Sequence, residues 1–406
     1  MQRIVQLVLS MLLLTSWLGN QPLGGFGPLF LQGEMMAKKN SATGLSIADL
    51  RKMANKKYGI NVAYNLNEEN PSEVVDWIPT GSRWLDSIIC RGRLSGIPVG
   101  RITELAGLES TGKSYMAAQI AANAQKKDIT VVYFDAESAI SPDFMEKAGC
   151  DLESLIYIQA QTVEMVLETI EMYLGTGEQF LFIWDSIAFT PAIGDKEGDF
   201  NPQSTMALKA RVLSKGLQKI TVPIANTNST LLALNQLKTN ITRSPSEAMV
   251  SPYVTPGGKA LMYAYSLRIW LTSRKAKASF IEDENGYRIG SEVKAKLQKS
   301  RFGTQGRLAT FKILWGDNIR ICDEESWFEA IKSSKYFSTA GAWHSLQLDS
   351  GEEKKFQGKN WLGMLEDEQF KARVTQIMNE TLISDFMERK GDASSHYNID
   401  EDENQS

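Results

Sequence analysis

The chain has 406 residues, with 44 lysines and arginines against 48 aspartates and glutamates and a net charge of −4. That length supports a large core with room for a second small domain, and the near-neutral charge excludes nucleic-acid binding by bulk electrostatics, so any such site must come from local basic clusters. Cys90, Cys150 and Cys322 lie far apart, and His344 and His396 are the two histidines. This excludes a zinc cluster or a Ser/Cys–His triad across the core and suits a reducing compartment, with the cysteines as small buried apolar residues.

Residues 1–34 conflict with that picture. After Met1-Gln-Arg3, the run Ile4–Leu14 has the apolar character of a short secretory signal, too short to span a bilayer comfortably. Met35-Met36-Ala-Lys-Lys is an ordinary cytosolic beginning. The expectation is an over-extended start and a cytoplasmic protein with no membrane association in its mature form; the alternative is a genuine export signal or anchor. Residues 35–77 read as an N-terminal helix and a linker. Ser46 caps the helix with Asp49 three positions on, and Ile47, Leu50, Met53 and Ala54 form an apolar stripe ending at Tyr58-Gly59.

From residue 78 to 323, strand-like runs at 101–106, 129–135, 155–159, 180–185 and 229–235 alternate with helical segments, which predicts an α/β fold with a parallel central sheet. Between the first of these strands and the helical run Tyr115–Ala124 lies Gly107-Leu108-Glu109-Ser110-Thr111-Gly112-Lys113-Ser114. It fits the P-loop pattern G-x-x-x-x-G-K-[ST]. Backbone N–H groups of such a turn, with the positive end of the following helix, attract an anion. Lys113 is expected to meet the β- and γ-phosphates and the Ser114 hydroxyl to bind Mg²⁺.

Phe180-Leu-Phe-Ile-Trp-Asp185 is an apolar strand ending in a carboxylate, at the edge where open α/β sheets bind ligands. Asp185 is therefore expected to hold Mg²⁺ through a water. The strand ending at Asp135 delivers Glu137 to the same edge, a candidate general base for attack on a γ-phosphate. Leu231–Gln236 ends in an amide suited to sensing the γ-phosphate. Four strand ends converging on one site point to an ATPase using ATP and Mg²⁺.

Two segments, Gly194–Thr205 and Lys238–Pro256, lack any regular period, and long irregular loops in a core are functional or disordered. Arg211, Lys215 and Lys219 follow the first at helical spacing, a stripe suited to a phosphate backbone or to a solvated face. Lys238 and Arg243 are cations of the second. After Tyr263 the pattern becomes hairpin-like (Ser266–Thr272, Tyr287–Lys296, Ala309–Leu314), with Lys294, Lys296, Lys299 and Arg301 clustered near a strand end. Residues 324–390 read as a small domain with helical segments near Trp327–Ser333 and Asp367–Met387, and 391–406 as an acidic disordered tail.

Several blocks are longer and more specific than a generic P-loop. They are Ile78-Pro-Thr-Gly-Ser-x-x-Leu85-Asp86, Gly100–Lys113, Asp135-Ala-Glu-Ser-Ala-Ile-Ser-Pro142, Asp185-Ser-Ile-Ala, Asn235-Gln236, Gly257-Gly258-Lys-Ala-Leu261, Gly290-Ser-Glu292 and Gly341-Ala-Trp343. In this order they resemble the RecA family of bacterial homologous-recombination proteins, from about residue 78 to about residue 365. The resemblance implies a RecA-like P-loop core, an N-terminal helix and strand that dock on a neighbouring protomer, and a small C-terminal domain. It also implies a homo-oligomeric, ATP-bound helical filament on single-stranded DNA that pairs with double-stranded DNA and exchanges strands.

On that resemblance the loops at about 194–205 and 238–256 line the filament axis and hold DNA. Arg211 and Ser214 match DNA-contacting positions, and Ile241 aligns with an apolar residue that wedges between base steps. Gln218 stands where the family usually has an arginine, which shifts weight to Lys219. Lys299 and Arg301 match cations that reach across the protomer interface to the γ-phosphate. Phe144 matches an aromatic that stacks on adenine, with Ser141 replacing an acidic neighbour. The segment Lys299-Ser-Arg-Phe-Gly303 is also similar to a box of the RadA/Sms branch-migration proteins. That family, hexameric helicases on the same core and a signalling ATPase are the alternatives.

Overall fold

In the computed structural model, which describes residues 45–59, 61–68, 73–89, 96–197, 206–240, 252–273, 279–316 and 319–380, the run Phe180–Asp185 is buried at every position. Strands buried on both faces are the mark of a parallel sheet covered by helices on each side. The sheet has ten strands in the order β14-β13-β12-β10-β3-β7-β6-β4-β5, with β11 beside β12. In chain order these are β3 (Ile102–Gly107), β4 (Thr130–Asp135), β5 (Leu155–Gln159), β6 (Phe180–Asp185), β7 (Thr230–Gln236), β10 (Leu267–Thr272), β11 (Phe280–Glu282), β12 (Arg288–Ser300), β13 (Leu308–Leu314) and β14 (Arg320–Cys322). Two short pairs flank them: β1 (Trp77–Ile78) with β2 (Ile97–Pro98), and β8 (Lys238–Thr239) with β9 (Tyr253–Val254).

Strands β5, β4, β6, β7, β3 and β10 run parallel, and β12, β13 and β14 extend the sheet antiparallel. The hairpin-like expectation for 266–272 holds on one edge, where Leu267–Thr272 pairs antiparallel with β12, while its other edge joins the parallel core beside β3. One face packs on the helices Arg83–Ile89 and Lys113–Gln125, the other on Val163–Leu174 and Met206–Asn226. Alanines 117, 118, 121 and 122 of the helix Lys113–Gln125 are buried, and small side chains let it lie close on the strands that carry the site.

A separate core of Trp327, Ile331, Phe337, Leu346, Phe356, Trp361 and Phe370 forms the C-terminal part. Besides the expected helices (Glu324–Ile331 and residues 368–380), it holds an antiparallel sheet of β15 (Phe337–Ala340), β16 (Trp343–Gln347) and β17 (Glu353–Gln357) that the helical reading of 324–390 missed. Trp84 packs against this core, and Arg83 donates to the Thr375 carbonyl at 3.2 Å.

The chain divides into two units, residues 1–70 and 71–406. In the first, the helix Ile47–Tyr58 has the expected capping box between Ser46 and Asp49, and Gly59 ends it in the left-handed conformation at φ 69°. The helix buries none of its residues: Ile47, Leu50 and Met53 are 73%, 46% and 57% exposed. Residues 61–65 have no regular structure. Cys150 is buried as expected, but Cys322 is only partly so. Residues 1–34, Cys90 and the tail 391–406 lie outside the described residues. Among those described, no helix is long and apolar enough to cross a membrane.

Candidate nucleotide site and nucleic-acid interface

β3 ends at Gly107 and the helix begins at Lys113, so five residues make the turn between them. Ser110 and Gly112 take left-handed φ values of 57° and 78°, and alternating handedness turns successive N–H groups toward one side. The N–H groups of Ser110, Thr111, Gly112, Lys113 and Ser114 donate to no acceptor among the described residues. A Cβ at Gly107 would sit 2.5 Å from Thr111 Oγ1, and one at Gly112 2.4 Å from Ile313 Cδ1. The left-handed φ favours glycine at 112 whatever the space, and at 107 a side chain would crowd Thr111 and the Leu271 Cβ at 3.1 Å. The result is a cradle of free donors suited to phosphate oxygens.

Lys113 Nζ donates to the carbonyls of Leu108 at 3.0 Å and Gly107 at 3.3 Å. Burial pushes its pKa down, and the charges of Asp185, Glu137 and Glu109 oppose that shift. Ser114 Oγ donates to Asp185 Oδ2 at 2.8 Å, and Tyr133 Oη donates to the same oxygen at 3.0 Å. Burial raises the Asp185 pKa, and these two hydrogen bonds counter it. Among the described residues no three His, Cys, Asp or Glu side chains gather as a metal cage. A hydroxyl and one carboxylate fit Mg²⁺, which takes one or two protein ligands and completes its shell with phosphate oxygens and water.

Glu137 lies beyond the end of β4 and is held by Ser186, whose Oγ donates to Glu137 Oε1 at 2.8 Å. Asp135 shapes the turn that carries it, accepting from Glu137 N at 2.9 Å, Ile140 N at 3.3 Å and Tyr157 Oη at 3.1 Å. Gln236 ends β7 in register with Gly107, with Leu237 N donating to the Gly107 carbonyl at 3.0 Å. Phe144 sits edge-on to Tyr115 with centroids 6.1 Å apart, and Ser141 caps its helix by accepting from Phe144 N at 3.3 Å. Ser141 thus has a structural task where the family pattern has an acid.

Lys299 and Arg301 are elsewhere. Lys299 pairs with Arg268 near the start of β10, whereas Leu271 near its end pairs with Gly107. That separates Lys299 from the P-loop of its own chain by roughly 10 Å of strand. Lys299 Nζ donates to the Met262 carbonyl at 2.5 Å and Arg301 to that of Tyr263 at 2.9 Å, holding the end of the helix Lys259–Ala264.

Arg211, Ser214 and Lys219 lie on the helix Met206–Asn226, with Arg211 and Lys219 exposed. Lys219 Nζ contacts Glu171 Oε2 at 2.6 Å, and Lys215 lines the same groove beside Glu164 and Glu168. The stripe therefore faces carboxylates at one end. The first loop opens with the short helix Ile193–Glu197, and residues 198–205 lie outside the described residues. Lys238 is exposed on β8, which closes the stem of the second loop against β9. Ile241 and Arg243 lie outside the described residues.

Sequence reading missed Tyr133, Asp135 and Ser186 as supports of the named acids. It also missed a buried pair, Arg268 Nε to Glu104 Oε2 at 2.6 Å. A charge in the middle of an apolar strand was the available signal, because such a group must find a partner.

The fold and this loop define a P-loop nucleotide-binding protein with a RecA-like core. Residues 46–320 match the RecA N-terminal domain family. The chain is 30% identical to Protein RecA of Mannheimia haemolytica over 351 residues, covering 86% of this chain and 88% of the relative. It is 32% identical to Protein RecA of Bifidobacterium longum over 324 residues (79% and 77%), and 32% identical to that of Bifidobacterium breve over 327 residues (80% and 78%). The chain belongs to the RecA family of recombination and DNA-repair proteins. The ring-helicase and branch-migration readings are not favoured.

Proposed function

We propose that the chain is a DNA-dependent ATPase that assembles as an ATP-bound filament on single-stranded DNA and catalyses pairing and strand exchange with double-stranded DNA in the cytoplasm. The observation that carries this reading is the convergence of the free N–H cradle, Lys113, the Ser114–Asp185 pair and the Ser186-held Glu137 on one sheet edge. When bound, Mg²⁺ would neutralise developing charge on the phosphates. The chain's part is then positional. The residue 107–114 turn binds the phosphate oxygens, Lys113 compensates their charge, and Ser114 with Asp185 fixes the metal. Glu137 orients the attacking water and accepts its proton, its carboxylate steered by Ser186. Phe144 offers a ring to the base, and Gln236 lies beside the phosphate end of the site.

The location of Lys299 and Arg301 away from their own P-loop supports a role on a neighbour's nucleotide, as expected of a head-to-tail assembly. The exposed stripe of Ile47, Leu50 and Met53 supports docking of the first helix on another protomer. Arg211, Ser214, Lys219, Lys238, Ile241 and Arg243 are the proposed DNA contacts. Electron microscopy of the chain with single-stranded DNA, Mg²⁺ and a non-hydrolysable ATP analogue is the test. Regular helical filaments that require the nucleotide are expected; closed rings or DNA-independent particles would overturn the reading.

A further inference from the structure

Glu104 and Arg268 interrupt two adjacent apolar strands, β3 and β10, and stand opposite each other in the parallel register. Their side chains are 0% and 7% exposed. One Glu104 oxygen takes the 2.6 Å bond from Arg268 Nε, and the other accepts from Asn235 Nδ2 of β7 at 3.1 Å. Both partners also reach the chain that returns from the second loop. Asn235 Nδ2 donates to the Pro256 carbonyl at 3.1 Å, and Arg268 Nη2 donates to Thr255 Oγ1 at 2.9 Å. Three central strands thus hold residues 255 and 256, immediately after β9.

Stability does not account for this arrangement. Desolvating two charges cancels much of their attraction, and apolar residues of similar volume commonly serve as well or better. Charge-assisted hydrogen bonds do fix direction, and here both ends of the loop stem are fixed relative to the nucleotide edge. Asn235 precedes Gln236, which is in register with Gly107. On the same side Leu237 and Tyr253, which flank the stem, pack with Trp270, Ala106 and the P-loop residue Leu108.

We propose that Arg268, oriented by Glu104, is a positioning residue that ties the stem of the 238–256 loop to the nucleotide-binding edge through Thr255, so that nucleotide binding alters DNA affinity. The proposal rests on the reading that this loop binds DNA. Arg268 touches no reacting atom in it; its effect passes through Thr255.

Arg268→Ala would leave Glu104 buried without its countercharge and is expected to misfold, so the test uses Thr255→Val, which keeps shape and removes the acceptor. In the full chain, nucleotide affinity is measured with a fluorescent ATP analogue in the absence of DNA. Affinity for a labelled single-stranded oligonucleotide is measured by anisotropy with and without a non-hydrolysable ATP analogue. Thr255→Val should bind nucleotide as the parent does, while the gain in DNA affinity on adding nucleotide falls on the order of tenfold. Thr255→Ser, which keeps the acceptor, should retain the gain. If Thr255→Val keeps the full gain, or loses nucleotide affinity itself, the inference falls and the function stands. If the parent shows no gain, both fall.

Discussion

The Ser114 hydroxyl and the Asp185 carboxylate meet at 2.8 Å although 71 residues separate them in sequence. One belongs to the first turn of the helix after the P-loop and the other to the end of β6, so the sheet order alone brings them together. Their contact pre-assembles the two groups proposed to hold Mg²⁺, Ser114 directly and Asp185 through a water. Ser114→Ala should therefore raise the Mg²⁺ needed for half-maximal ATPase activity by about tenfold to a hundredfold, in the range seen when metal-site groups are altered. A Mg²⁺ titration at saturating ATP checks this, and an unchanged midpoint would remove Ser114 from the metal site.

Glu137 and Ser186 allow a separation of chemistry from positioning. Glu137→Gln should retain nucleotide-dependent DNA binding while hydrolysis slows by about a hundredfold or more, the usual size of general-base catalysis. Ser186→Ala leaves the carboxylate present but unsteered, so kcat should fall by roughly tenfold with KM little changed. Lys113→Ala, by contrast, should abolish tight nucleotide binding. Steady-state kinetics beside a nucleotide-binding assay distinguishes the three; normal turnover in Glu137→Gln would put the base elsewhere.

The candidate site was legible in the sequence because its residues sit at strand ends, where a local apolar run and its terminal polar residue can be read together. Phe180–Asp185 and the P-loop are of that kind. Each strand charge signalled a need for a partner, but the pairing of Glu104 with Arg268 was not legible, since they lie 164 residues apart and only strand order joins them. The C-terminal sheet was missed for a different reason. Its strands are short, and mainly Phe337, Leu346 and Phe356 turn inward among polar neighbours, which leaves too little alternation to detect. The antiparallel edge of β10 was legible, but its parallel pairing with β3 was hidden because a doubly buried apolar strand looks the same in either direction.

Asp86 gives the fold a pH dependence of defined sign. It is fully buried, and desolvation pushes its pKa from 3.8 up to about 8, with the Thr80 hydrogen bonds opposing and the nearby Asp323 charge adding to the rise. The folded state therefore keeps a proton that the unfolded chain has released, so stability should fall as pH rises from about 4 to about 8. Asp86→Asn should flatten that slope. Melting temperatures of both proteins across the range provide the check, and parallel curves would mean that Asp86 is ionised throughout in the native state.

DNA binding should weaken steeply with salt, with a log–log slope near −0.7 for each phosphate neutralised on a single strand. Arg211→Ala should remove about one contact from that slope. Lys219→Ala should remove less, because its ammonium already contacts Glu171 at 2.6 Å. The pair is exposed and worth only ~0–1 kcal/mol, so Glu171→Gln should release Lys219 and strengthen binding modestly. Equal slopes for the parent and Arg211→Ala would return the stripe to a solvated helix face.

Lys299 pairs with Arg268 near one end of β10, whereas the P-loop follows Gly107, which pairs with Leu271 near the other end. A cation so placed can serve the γ-phosphate of a neighbour in a head-to-tail assembly, where each interface joins one protomer's P-loop to the next protomer's basic strand. On the proposed roles, Lys113→Ala removes a group acting on the protomer's own nucleotide, and Lys299→Ala one acting on the neighbour's. Each variant alone should lack DNA-stimulated ATPase activity. Mixed in equal amounts, an intact P-loop from the Lys299 variant meets an intact Lys299 from the Lys113 variant at about a quarter of randomly formed interfaces. Activity should return toward that fraction once fluorescence transfer between labelled variants shows that they co-assemble. Because Lys299 also holds the Met262 carbonyl at 2.5 Å, a melting curve must show that Lys299→Ala is folded. Co-assembly of folded variants with no recovered activity would overturn the shared site.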